Sequence, residues 1–127
     1  MKVRIYYHDT DSGGVVYYAN YLKFLEEART DFFEARGLSI KKLADEGVFF
    51  VVARQEIDYK FPARYGDVLE IETAVGDVGA AKIVFTHTIK KEGAVKIAVA
   101  KTTLVCVDTN FKPMAMPERV KRILGTE

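Results

Sequence analysis

Residues 7–21 read Tyr7-His8-Asp9-Thr10-Asp11-Ser12-Gly13-Gly14-Val15-Val16-Tyr17-Tyr18-Ala19-Asn20-Tyr21, and the rest of the chain takes its meaning from them. Two carboxylates stand two residues apart, and a glycine pair follows at once. Uncharged residues then lead to Asn20, a residue type that opens helices. Asp is a poor strand former and Gly is costly to order, so the segment reads as a sharply turning loop that feeds a helix. Acids and glycines in such a loop are a poor choice for stability alone. They suit a catalytic carboxylate held next to the unpaired N–H groups of a helix start.

Downstream, a helical period runs from about Tyr17 or Asn20 to Arg36. Tyr21, Phe24 with Leu25, Ala28, Phe32 and Ala35 recur at steps of three and four, while Glu27, Thr30, Asp31 and Glu34 fall on the other side. Gly37 is a C-terminal stop. Eighteen or so residues make a rod of roughly 27 Å. Ser39 to Glu46 predicts a further short helical turn. The period then changes to two. Strands are predicted at Val48–Tyr59, where VFFVV reads as apolar on both faces, and at Val68–Val75, Lys82–Lys90 and Val95–Val107. Glu92-Gly93 is a hairpin signal, Phe61 to Asp67 a turn-rich connection, and Pro117–Leu124 a short terminal helix. Upstream, Val3–Tyr7 predicts a first strand. Successive strands joined by short turns argue an antiparallel sheet. Five strands and one long amphipathic helix, which must bury its stripe on a sheet face, give a single α+β domain over residues 1–127.

The chain has 127 residues, 49% of them hydrophobic and 29% charged, with a formal net charge of +1. That is an ordinary globular composition with no overall pull towards nucleic acid or an anionic membrane. The first residues, MKVRIYYHD, show no apolar signal-peptide core, and the apolar run Val48–Ala53 is too short to cross a bilayer. One cysteine precludes an internal disulfide and fits a reducing compartment, so a cytoplasmic location is expected. Gln55, Asn20 and Asn110 are the only amide side chains, a scarcity that leans towards a thermophilic source.

Several chemistries fall away. Ser12 and Ser39 are the only serines and neither lies in a G-x-S-x-G elbow. Two histidines and one cysteine, with no H-E-x-x-H, offer no zinc set. DTDSGG begins like a calcium loop but fails at the fifth position (Gly13) and the twelfth (Asn20). The glycine pair matches no dinucleotide or P-loop pattern. Cys106 and His87 sit in predicted strands, where a buried thiol and a satisfied structural histidine are the commoner readings.

Tyr7 to Asp11, Gly14 to Tyr18, Asn20-Tyr21 and Glu27-Ala28-Arg29, together with Tyr59 and Pro62-Ala63-Arg64-Tyr65-Gly66-Asp67, resemble the hotdog-fold acyl-CoA thioesterases. The group concerned contains 4-hydroxybenzoyl-CoA thioesterase and the YbgC-type enzymes, and spacing and order fit over nearly the whole chain. The resemblance implies a five-stranded antiparallel sheet wrapped around one long helix, in agreement with the layer reading. It implies homodimers or homotetramers with active sites between subunits, and acyl-CoA, or an acyl group on acyl carrier protein, as substrate. No cofactor or metal, nucleic-acid partner or membrane insertion is implied.

By the same resemblance Asp11 takes the catalytic carboxylate position, as nucleophile or as base for water, and Asp9 becomes a loop anchor. Many YbgC-type sequences have His where this chain has Tyr18, so only the backbone N–H of Tyr18 is carried over, as a polarising donor to the thioester carbonyl. Tyr7 could position water or the carboxylate, or be a half-buried strand aromatic. Val16, Tyr17, Pro62 and Ala63 are assigned to substrate binding. Lys60, Arg64 and Lys82 are candidates for the coenzyme A phosphates, each against the alternative of a solvated charge. Val48–Val52, with Phe49 and Phe50, is expected to line an acyl pocket for a short or aromatic group. Two other readings use the same fold. One is a non-catalytic acyl-CoA or acyl-carrier-protein binding module, which needs no carboxylate beside a thioester. The other is a hydratase, for which His8 would be the only nearby histidine.

Overall fold

The computed structural model of the protein describes residues 1–92 and 94–125. The helical period becomes α1 (Asn20–Ala35), which buries Tyr21, Phe24, Leu25, Ala28, Arg29 and Phe33. The stripe thus ends differently from the sequence expectation: Phe33 is buried, Phe32 half-buried and Ala35 exposed. The reason is Arg29, a charged residue inside the stripe. It hides the four-residue step from Leu25 through Arg29 to Phe33 that the burial follows. Past Arg36, Gly37 takes φ +82° and Leu38 N–H returns to the Phe33 carbonyl at 3.0 Å, a left-handed helix stop. In α2 (Ile40–Asp45) the Ser39 hydroxyl accepts the Lys42 N–H.

Five strands form one antiparallel sheet: β1 (Lys2–Arg4), β2 (Phe49–Tyr59), β3 (Val68–Val78), β4 (Lys82–Lys91) and β5 (Val95–Val107). A short α3 (Glu118–Ile123) follows. The sheet order is β1-β3-β4-β5-β2. Sequential neighbours therefore pair only from β3 to β5. The expectation that β2 joins β3 through a short turn is corrected: β2 pairs with β5, from Phe49↔Val107 to Tyr59↔Ala98, and residues 60–67 carry the chain across to β3. As an edge strand β2 is not buried on both faces. Phe49, Phe50 and Val51 are half-buried and Val52 is exposed.

The first strand is also shorter than expected. It stops at Arg4, and Tyr7 to Asp9 form a single 3-10 turn, because the Asp9 carboxylate accepts the Tyr6 N–H at 2.9 Å and bends the chain out of the sheet. At the β4–β5 hairpin Glu92 takes φ +43°; Gly93, the other half of that signal, lies outside the described residues.

The sheet's inner face and α1 enclose two apolar clusters. One gathers Tyr21, Phe24, Leu25 and Ala28 with Leu69, Ile71, Ile89, Ile97 and Ala98. The other gathers Phe33, Leu43, Ile83, Phe85, Leu104, Cys106 and Val120. Ile83, Phe85, His87 and Ile89 are buried in phase, as the alternation predicts. This is the α+β hotdog arrangement.

His87 sits between the clusters, 2% exposed. Its Nδ1 meets the Thr73 hydroxyl at 3.1 Å, whereas Nε2 has no partner among the described residues. The structural histidine is therefore satisfied on one side only. Burial first, and the Arg29 guanidinium second, push it down to about 4. An unfolded histidine titrates near 6.5, so below that pH the unfolded chain binds the proton more readily. Stability should rise with pH between about 4 and 6.5 and level off above, by on the order of 3 kcal/mol at most. Urea unfolding at pH 5 and pH 7.5 checks this: the wild-type difference should shrink in His87→Gln, and an equal difference in both would refute the assignment.

Candidate active site

The loop that leads into α1 is held by its own acids. Asp9 is buried. Its carboxylate accepts the Tyr6 N–H, and its carbonyl accepts both the Tyr17 N–H and the Asn20 side-chain amide, each at 2.9 Å. Asn20 thus does not cap the helix it opens. It is the helix's first residue, with Ala19 at the cap position, and its side chain ties α1 back to the loop.

Asp11 is built differently. It is exposed, and one carboxylate oxygen accepts the Gly13 N–H at 2.8 Å. Its carbonyl takes the Gly14 N–H and its own N–H goes to the Val15 carbonyl. Gly14 needs φ +80° to make this reversal. A Cβ at Gly13 would stand 3.2 Å from the Asp11 Oδ1, so a side chain there would press on the carboxylate. The second carboxylate oxygen accepts no hydrogen bond among the described residues.

After the loop, Val16 N–H donates to the Ala63 carbonyl at 2.8 Å, and the chain turns through residues 17–20, where Asn20 N–H returns to the Tyr17 carbonyl. The helix starts two residues after Tyr18, later than an entry at Tyr17 would give. Among the described residues the Tyr18 N–H has no acceptor, and no side chain caps α1. The positive end of the helix is open there. The Tyr18 carbonyl accepts from the Tyr59 hydroxyl at 3.1 Å. The rings of Tyr17, Tyr18, Tyr59 and Tyr21 follow one another at 5.0, 6.3 and 5.6 Å. Burial raises the Tyr21 and Tyr59 hydroxyls above their ordinary range; a backbone hydrogen bond at Ala63 opposes the rise for Tyr21. Both remain proton donors at neutral pH.

Tyr18, Tyr21 and Tyr59 wall a cleft of about 280 Å³. Val15 and Val16 form one side, Tyr18 and Tyr21 the helix-start side, and Tyr59 to Pro62 the strand end. The Thioesterase-like superfamily matches residues 5–124, nearly the whole chain. The chain belongs to this superfamily. It is 40% identical over 119 residues to the acyl-CoA thioester hydrolase YbgC of Escherichia coli O6:H1, covering 93% of this chain and 89% of that one. It is 40% identical over 121 residues to the acyl-CoA thioesterase YbgC of Haemophilus influenzae, covering 94% and 88%. Among solved structures, the gentisyl-coenzyme A thioesterase BH1999 superposes with a TM-score of 0.89 at 26% identity, over 95% of this chain and 98% of that one.

Within this superfamily member the sequence-predicted residues are only partly brought together. Val16, Tyr18, Lys60 and Pro62 line the cleft. Tyr17 lies beside it, its ring tilted by 51° against that of Tyr18. Ala63 is fully buried and braces Val16 by its carbonyl. Arg64 bridges Val15 through the backbone, but its side chain is exposed and outside the cleft lining. Lys82 is exposed at the start of β4, paired with Val105, and Tyr7 is 78% exposed with its ring edge-on to Tyr65. Neither Lys82, Tyr7 nor Asp11 lines the cleft of its own chain. Phe50 and Val52 line a second cleft, while Val48 is core. Cys106 is buried and its thiol is pushed up by burial, as a structural cysteine would be. No group of side chains that could hold a metal ion occurs among the described residues, and no helix is long and apolar enough to cross a membrane.

Val15, Tyr21, Tyr59 and Phe61 line the cleft without a site role assigned to them from the sequence. Tyr59 ends an alternating strand, and only the sheet order shows that this end meets the start of α1.

Proposed function

We propose that the chain is an acyl-CoA thioesterase that hydrolyses a short-chain or aromatic acyl thioester to free acid and thiol. The observation that carries this reading is the Tyr18 N–H, without an acceptor among the described residues, at an uncapped helix start on the wall of an aromatic cleft, preceded by a loop that exposes the Asp11 carboxylate. A thioester carbonyl placed there would accept the Tyr18 N–H, and the helix end would stabilise the oxygen charge that develops. Asp11 would either attack the carbonyl carbon, expelling the thiolate to leave an anhydride that water opens, or take a proton from the water that attacks. Because Asp11 stands outside its own chain's cleft, the reading places it over the cleft of a second subunit, in a homodimer or homotetramer. Lys60 at the cleft mouth is the candidate for a phosphate of coenzyme A or of acyl carrier protein. The wall of Tyr18, Tyr21 and Tyr59 favours an aromatic acyl group, the class that BH1999 is named for.

Release of free thiol from a panel of short-chain and aromatic acyl-CoAs tests the proposal. Calorimetry that finds tight binding without turnover would replace it by a binding module. The donor in this scheme is a backbone group, so Tyr18→Phe should change kcat/KM by less than about 3-fold. Tyr59→Phe removes the hydrogen bond that fixes the Tyr18 carbonyl, a contact worth ~1 kcal/mol, and should cost about 5-fold. A larger loss in Tyr18→Phe than in Tyr59→Phe would reverse the assignment of roles.

A further inference from the structure

Along β4 the residues Ile83, Phe85, His87 and Ile89 are buried in phase, and the next position on that face is Lys91. Because β4 is an inner strand, between β3 and β5, this inward charge does not guard a sheet edge. Lys91 opposes Leu69 on one side and Val95 on the other, and its side chain is 18% exposed. A lysine stem can cover apolar surface while its ammonium reaches a polar partner. Here the ammonium has two partners. Nζ donates to the Asp67 Oδ2 at 3.2 Å and stands over the Phe61 ring, 5.5 Å from its centre. Phe61 and Asp67 stand at the two ends of the crossover from β2 to β3.

The crossover's backbone is well tied. The Lys60 and Phe61 N–H groups donate to the Ile97 carbonyl, and the Ala63 carbonyl accepts the Val16 N–H. Asp67 Oδ2 also accepts the Arg64 N–H at 2.8 Å, which fixes the carboxylate on its own turn. The Phe61 side chain is held more loosely. It is 50% exposed, and no other ring packs on it among the described residues. Phe61 lines the tyrosine cleft and Lys91 does not, so the ammonium meets the ring from outside the cleft. A cation within about 6 Å of a ring centre is attracted to the ring face. An ion pair with Asp67 alone would close this end of the core, yet it would leave the Phe61 ring to choose its own rotamer.

We propose that Lys91 is a positioning residue that determines acyl specificity: anchored on Asp67, its ammonium holds the Phe61 ring as a flat wall of the tyrosine cleft, which favours aromatic over short aliphatic acyl groups. The inference rests on the reading of that cleft as the acyl site. Lys91 touches no reacting atom, so its removal should act on binding and not on the chemical step.

Steady-state thiol release from benzoyl-CoA and acetyl-CoA tests this. Lys91→Met should raise KM for benzoyl-CoA about 5-fold, the scale of one cation over a ring. Its kcat, and the KM for acetyl-CoA, should change by less than about 2-fold, the mark of lost ground-state binding. Lys91→Arg keeps a cation over the ring and should restore the benzoyl-CoA KM. In a Phe61→Leu background, Lys91→Met should add nothing further, because the two residues act as one unit. Should Lys91→Met not fold, Lys91→Gln, which keeps a donor for Asp67 but no charge, carries the same expectations. Equal effects on both substrates, a loss confined to kcat, no recovery in Lys91→Arg, or additivity with Phe61→Leu would each overturn the proposal. If the wild type binds acyl-CoA without turnover, the Kd from calorimetry takes the place of KM. The hydrolysis reading then fails, while the 5-fold weakening in Lys91→Met still decides the role of Lys91.

Discussion

Asp11→Asn should lower kcat for thioester hydrolysis by at least about 100-fold while leaving the fold intact. Asn preserves the side-chain shape and can keep an oxygen for the Gly13 N–H that Asp11 accepts at 2.8 Å, so the turn survives. The substitution removes the negative charge and the lone pair that would attack or take a proton. Positioned acid–base groups contribute roughly 10²–10⁴ in rate, and the exposed, singly bonded carboxylate is the one acid of the loop free to supply it. Thiol release, with circular dichroism as the control on folding, checks the prediction; equal rates in both proteins would remove Asp11 from the reaction. Asp9→Asn should behave otherwise, since the Asp9 carboxylate serves the Tyr6 N–H and its loss acts through the loop's geometry.

Phe33→Ala should destabilise the domain by ~3–5 kcal/mol, the range for a large aromatic removed from a core. Phe33 is 2% exposed. Its ring meets Phe50 in a stack at 5.7 Å, and Phe85 and Phe32 edge-on at 5.7 and 6.0 Å. It thereby joins α1, β4 and the β2 edge. Against a total of roughly 5–15 kcal/mol for a domain, a loss of that size leaves it marginal. Urea unfolding should show it as a large drop in midpoint with a nearly unchanged slope. A change below 1 kcal/mol would show that the second cluster closes over the gap.

Local order was legible where one physical signal dominated. The acidic glycine loop, the helix from Asn20 and the strand at residues 95–107 are read from turn chemistry and from periods of 3.6 and 2. The loop's two acids were told apart only by the family resemblance, because each closes a local turn on a backbone N–H, Tyr6 for Asp9 and Gly13 for Asp11. What stayed hidden required knowledge of distant partners. The buried stripe of α1 was misplaced at its end because Arg29 looks solvent-facing until Thr102 and Gln55, from other strands, are brought beneath it. The interior of VFFVV was overread because its hydrophobicity does not reveal that β2 has one neighbour instead of two. Tyr59 and the start of α1 are neighbours only through the sheet order. Arg64 and Lys82 are charges whose surroundings no local pattern encodes.

The order β1-β3-β4-β5-β2 has a consequence in time. During synthesis the apolar stretch from Val48 to Ala53 emerges well before its partner, since Phe49 pairs with Val107 and Tyr59 with Ala98. At roughly 5–20 residues per second, it waits for seconds with its backbone groups unpaired, while β3, β4 and β5 can zip locally as hairpins. Closing β2 onto β5 is a long-range step, with residues 60–97 to order before any contact rewards it. Until then the nascent chain presents a sticky, uncharged strand that a neighbouring chain could capture. The crossover that brings Tyr59 to the start of α1 thus assembles the tyrosine cleft late, on a chain whose other strands are already in place.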